Sequence, residues 1–153
     1  MLLKKFGYVL SLAVIVFSQL AWGADTPSAP EADPGLTKAR ELVAKKDWSS
    51  AVMTLQGFTK ANPANADGFN LLGYSYRNLK RYDEALVAYK QALKLDPKHR
   101  GAHEYIGVAY IQMGQIDKAK EHLDALDKIC RFSCEEYRDL KKAYEEARKA
   151  KSN

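Results

Sequence analysis

An all-α chain built of stacked helical hairpins is what this sequence predicts, and three observations carry the reading. Apolar and small residues recur at intervals of three and four after about residue 34, the spacing of a helix face, with hardly any strand signal. Runs of Ala, Leu, Lys and Glu favour helix over the same region. The chain also repeats itself: Gly73 and Gly107 set in register give a period of 107 minus 73, or 34 residues, and Ala39 falls one period further back. A period of that length marks units that bury their apolar faces on one another.

The elements follow in order. Lys4 and Lys5 precede an apolar run from about Tyr8 to Leu20, and Ala21-Trp22-Gly23 places small residues where a signal peptidase cuts, so residues 1–23 read as a secretory signal peptide cleaved after about Gly23. The run falls short of the roughly 20 apolar residues that span a bilayer, and an uncleaved anchor is the competing reading; membrane association is expected only if the segment is retained. Residues 24–33 are rich in Pro, Ala, Ser and acid and read as a disordered linker. The repeat domain then occupies residues 34–153, its units being about 32–65, 66–99 and 100–133, with a closing helix over 134–150. Seven helices are expected, three hairpins and a cap.

Removal of Lys4 and Lys5 leaves 22 basic against 19 acidic residues, so the net charge falls from +5 to about +3. The charges alternate in sign along the chain without basic blocks, and this excludes a nucleic-acid reading in favour of a solvated helical surface. Two cysteines are too few for a disulfide-framework miniprotein.

The middle unit places Phe69, Leu72, Gly73, Tyr76, Tyr82, Ala85, Tyr89, Ala92 and Pro97 at its fourth, seventh, eighth, eleventh, seventeenth, twentieth, twenty-fourth, twenty-seventh and thirty-second places. That unit resembles a tetratricopeptide repeat at each signature position. The third keeps the frame through His103, Ile106, Gly107, Tyr110, Ile116, Ala119 and Leu123, then departs at Leu126, where alanine is usual, and at Arg131, where proline is usual. The first keeps Ala39, Leu42, Trp48, Ala51, Leu55 and Pro63 and departs at Gly35, Lys38 and Phe58. In the cap, Tyr137, Leu140 and Tyr144 repeat the first-helix pattern, and Glu145 with Lys149 and Asp139 with Lys142 have the spacing of helix-surface ion pairs.

The resemblance implies a three-repeat solenoid whose groove, lined by the first helix of each unit, holds a peptide or helix of a partner protein. In the family the second, fifth, ninth, twelfth and thirteenth places of a unit line that groove; carried over, the resemblance selects Arg40 and Val43, then Asn70, Tyr74, Arg77 and Asn78, then Glu104, Val108, Ile111 and Gln112, with Arg138 and Lys142 extending the surface. The Lys and Asn clamp that some family members close on chaperone C-termini is absent, because Glu104 and Val108 stand at its places in the third unit.

Enzyme signatures are missing: there is no phosphate-cradling glycine loop and no serine paired with His and Asp. The chain is expected to be no enzyme and to need no cofactor. His99, His103 and His122 are potential metal ligands by type, but they read as turn, packing and surface residues, with no metal expected. Cys130 and Cys134 flank the last turn; in an oxidising compartment they would form a disulfide holding the turn in place of the missing proline, and a reactive or metal-binding thiol pair is the competing reading. Three functions stay open. They are an adaptor exported to the bacterial envelope, in the periplasm; a self-associating structural module; and a redox protein using the two cysteines.

Overall fold

Helix boundaries repeat with the same period as the sequence. The structure, a computed structural model, describes residues 33–152, so the signal-peptide expectation and nearly all of the linker lie outside the described residues. Seven α-helices follow in order: α1 (Pro34–Ala44), α2 (Trp48–Ala61), α3 (Ala66–Asn78), α4 (Tyr82–Leu95), α5 (Arg100–Gln112), α6 (Ile116–Ile129) and α7 (Glu135–Ser152), with no strand among the described residues. Helices α2, α4 and α6 begin 34 residues apart, and α3 and α5 do likewise.

Local chemistry sets the ends. Asp33 caps α1 by accepting from Gly35 N and Leu36 N, with Pro34 as the first helical residue, where its missing N–H costs nothing. Asn65 caps α3 through Gly68 N. His99 caps α5, its Nδ1 accepting from Ala102 N at 3.2 Å. Within each hairpin the chain reverses through one residue of positive φ: Lys46 at 58°, Lys80 at 60° and Gly114 at 74°, again 34 apart. Glycine holds that conformation without strain, whereas a lysine Cβ opposes it.

Packing is nearest-neighbour. Each helix touches the next, and the first helices of the units, α1, α3, α5 and α7, also touch in sequence; α2, α4 and α6 have no such mutual contacts. The first helices therefore form one continuous layer, while the second helices stand apart with clefts between them. Small residues permit close approaches both inside a unit and between the last unit and the cap. A Cβ on Gly73 would lie 2.5 Å from Tyr89 Cδ1, and one on Gly107 would lie 2.5 Å from Leu140 Cδ2. Tyr89, Ala85 and Ile106 are fully buried in a main apolar cluster running from Ala39 to Ala119. Leu123, Leu126 and Leu140 form a smaller second cluster under α7.

Two departures from the repeat signature compensate one another. Phe58 is buried, and its ring lies 3.0 Å from where a Cβ on Gly35 would stand and 2.6 Å from one on Gly68. The bulk added at one place fills the room vacated at two others. Leu126 is accommodated similarly, wholly buried against the cap residue Leu140. The ion pairs expected from Glu145 with Lys149 and Asp139 with Lys142 are not formed among the described residues; these side chains are exposed, where such a pair gains little over water.

Replacing Gly73 with alanine is expected to destabilise the chain by about 1–3 kcal/mol, because the new methyl must displace Tyr89 from a filled core. Lys80→Gly should stabilise by roughly 0.5–1 kcal/mol by relieving the left-handed residue. Urea unfolding followed by circular dichroism checks both, and opposite signs are required.

Candidate functional site

On the layer of first helices, polar and aromatic side chains converge from three units. Asp67 of α3 holds Arg40 of α1 at 3.7 Å and His99, the α5 cap, at 3.0 Å. Since His99 Nδ1 accepts from the backbone, its Nε2–H is the donor to Asp67, which fixes the tautomer. One carboxylate thus ties together three successive first helices. Asp67 occupies the second place of its unit, a groove place in the family, and the sequence reading passed over it.

Beside this chain lies an aromatic cluster. Tyr74 is flanked by Trp48, edge-on at 5.7 Å between centroids, and by Tyr105 at 4.9 Å. The guanidinium of Arg77 stands 5.1 Å from the Tyr74 ring centre and 5.5 Å from that of Tyr105, within cation–π range of both. Tyr105 sits at the sixth place of its unit and Trp48 starts a second helix, so the place rule did not select either. Asn70 Oδ1, Arg77 Nε and the Tyr89 hydroxyl are buried without a hydrogen-bond partner within the chain. Burying such atoms unpaired costs free energy, and two of the three belong to residues chosen for the groove.

The remaining predicted residues divide. Glu104 is half-buried, and its carboxyl is pushed up to about 7, by burial first and then by Asp139 and Glu136, against the lowering influence of Arg77. Val43 packs on the main cluster, Val108 on the smaller one, and Ile111 on both, so these serve the core at least as much as an open surface. Asn78 is exposed but donates to its own helix at Tyr74 O, 2.8 Å away. Gln112, Arg138 and Lys142 are exposed. The structure thus brings Arg40 to Asp67, Tyr74 and Arg77 to Tyr105, and Glu104 within the influence of Arg77.

The histidines read singly from sequence include a pair. His103 Nδ1 and His122 Nδ1 are 3.1 Å apart, joining α5 to α6, and His103 Nε2 lies 3.1 Å from Pro97 O. A carbonyl only accepts, so His103 Nε2 is the donor to Pro97 O, and one of the two Nδ1 atoms donates to the other. Burial, with His103 and Lys90 nearby, brings His122 down to about 4.

Cys130 and Cys134 lie at disulfide distance, 2.08 Å between sulfurs. The chain-entropy model assigns a five-residue loop about 2 kcal/mol. Their sulfurs and a Glu136 carboxylate oxygen all fall within 4.8 Å of one another. That set would offer a metal three ligands only as free thiolates, and Glu136 is also drawn to Arg100 at 3.6 Å.

Comparison with known proteins decides the family. Tetratricopeptide repeat profiles match residues 36–99 and 78–144, together spanning all three hairpins and most of α7. The chain belongs to the tetratricopeptide repeat family. Among curated relatives, Protein bimA of Emericella nidulans is 33% identical over 85 residues, covering 56% of this chain and 10% of that protein. The peroxisomal targeting signal receptor of Candida glabrata is 32% identical over 80 residues, covering 52% of this chain and 14% of the receptor. The chain therefore spans only a small part of the curated relatives it matches. Among solved structures, the TPR2B domain of yeast Sti1 in its complex with an Hsp70 peptide superposes with a TM-score of 0.71 at 23% identity. It covers 76% of this chain and 94% of that one, which shows the shared fold.

The two displaced groups impose opposite pH slopes. The folded chain holds the Glu104 proton to about pH 7, whereas an unfolded carboxyl releases it near 4.5, so stability falls as pH rises through that window. The His122 contribution is present above 6.5 and is lost as pH falls from there to about 4. Glu104→Gln should therefore be more stable than the parent at pH 8, by about 1–2 kcal/mol after discounting for the water that reaches a half-buried side chain. The difference should vanish below about pH 4.5. Urea titrations at pH 4, 6 and 8 measure it, and an advantage independent of pH would contradict the assignment.

Proposed function

We propose that this chain is a non-catalytic adaptor that holds an extended peptide or a helix of a partner protein against the layer of first helices. One observation carries the reading: on the layer of first helices the Arg77 guanidinium stands over the Tyr74–Tyr105 aromatic pair. A bound peptide would lie on the tyrosines, which supply broad, stiff apolar area, and offer carbonyl or carboxylate oxygens to the Arg77 guanidinium. A curated relative named as a receptor for a targeting signal supports the same mode.

The setting is part of the proposal. Export through a signal peptide ending near Gly23, with action in the bacterial envelope, fits the apolar run and the cysteine pair. Under this reading the disulfide is structural, and it holds a turn that lacks the usual proline.

A photo-crosslinking residue at position 74, with position 90 as control, is expected to capture a discrete partner in cells from position 74 alone. Arg77→Ala should weaken capture at least tenfold while leaving the helical spectrum unchanged. Equal adducts from both positions, or none from position 74, would remove the groove as the binding surface. Mass spectrometry of the secreted or periplasmic chain, before and after reduction and alkylation, should find a mature start near Ala24 and both thiols blocked until reduced.

A further inference from the structure

The face of second helices carries a feature that the adaptor reading leaves unused. Because α2 and α4 do not touch, a groove of about 750 Å³ opens between them over α3, walled largely by apolar atoms of Phe69, Leu72, Tyr76 and Val87. Its floor is fixed by Gln56 Nε2 donating to Tyr76 Oη at 2.7 Å. Val87 at its edge is 71% exposed. The rim carries Asp83 and Glu84; Glu84 is held by Arg81, while Asp83 has no ion-pair partner among the described residues.

At the other end of the chain stands a complementary shape. Between α6 and α7 the cystine closes a loop of five residues, and Phe132 at its tip is 95% exposed, the most exposed large apolar side chain described. Arg131 beside it is also exposed and has no ion-pair partner among the described residues. Ser133 completes the tip with a positive φ of 61°. A loop clamped at both ends loses little freedom when its aromatic tip is buried, which is how a single side chain becomes a strong contact.

We propose that Phe132 of one copy inserts into the α2–α4 groove of a second copy, with Arg131 meeting Asp83 at the rim. The helices that carry the loop, α6 and α7, do not touch α2 or α4, so the loop and the groove of one chain are not joined and the contact runs between chains. Loop and groove are different surfaces, so the contact is heterologous: each copy keeps a free groove at one end and a free loop at the other, and the assembly grows head to tail. One aromatic anchor buries far less than a standard interface, so association should set in at roughly 0.1–1 mM and be salt-sensitive. The first-helix groove is not used and stays open to a partner.

Sedimentation velocity of the purified chain over that range tests the idea with two variants, Phe132→Ala and Val87→Arg. Both positions are exposed, and circular dichroism confirms folding. The parent should form a concentration-dependent series, and each variant alone should be monomeric. An equimolar mixture should form a 1:1 dimer that grows no further, because the Phe132→Ala copy still offers a groove and the Val87→Arg copy still offers a loop. Reduction of the cystine should weaken parent association several-fold. A parent chain that stays monomeric at 1 mM, a series indifferent to both variants, or a mixture that gives no dimer overturns the proposal.

Discussion

The seat of Tyr89 on Gly73 governs the middle of this array. Only a residue without a Cβ lets the ring lie against the α3 backbone, and the resulting closeness of α3 and α4 sets how α5 approaches the pair. Tyr89 also lies 6.2 Å, centroid to centroid, from Tyr105, so the same ring underlies the aromatic cluster on the other side. Core and groove share a side chain. Its hydroxyl is buried without a partner, and burial drives its proton affinity far above that of an ordinary phenol. The third unit fills the corresponding place from elsewhere: Gly107 accommodates Leu140 of the cap, so α7 supplies there the bulk that α4 supplies in the middle unit.

The repeat frame made most of the fold legible. Places set by packing recur at fixed intervals, and the seven helices fell where that frame put them, with α7 running to Ser152, two residues beyond the expected end. What it hid were exchanges between places. Gly35 and Phe58 read as two defects in the first unit, yet they are one repair, because the glycine makes room for the ring. A pattern that scores each position alone cannot register a volume moved from one helix to another.

The residues at the family's groove places could be picked from the sequence, but their contacts could not. Asp67, which holds Arg40, and Tyr105, which packs with Tyr74 and Arg77, were missed. Asp67 could have been found, since it stands at a groove place of its own unit. His99 could not: its role as helix cap and ion-pair partner depends on the turn geometry that brings it to Asp67. The His103–His122 contact was equally hidden, since a separation of 19 positions bears no relation to the spacing of one helix face.

The division of the apolar interior into two clusters has a consequence for how the array comes apart. Leu123, Leu126 and Leu140 sit apart from the main cluster and are bridged to it only by half-buried residues such as Ile111 and Tyr144. In a structure held by nearest-neighbour contacts, such a division lets the terminal block open while the rest stays folded. The cystine lies inside that block, so it shortens the excursion of the end that would otherwise fray first. Amide protection should then decline in a step at α6 rather than smoothly along the chain, and the last hairpin's lifetime becomes a property that the redox state of its surroundings can set.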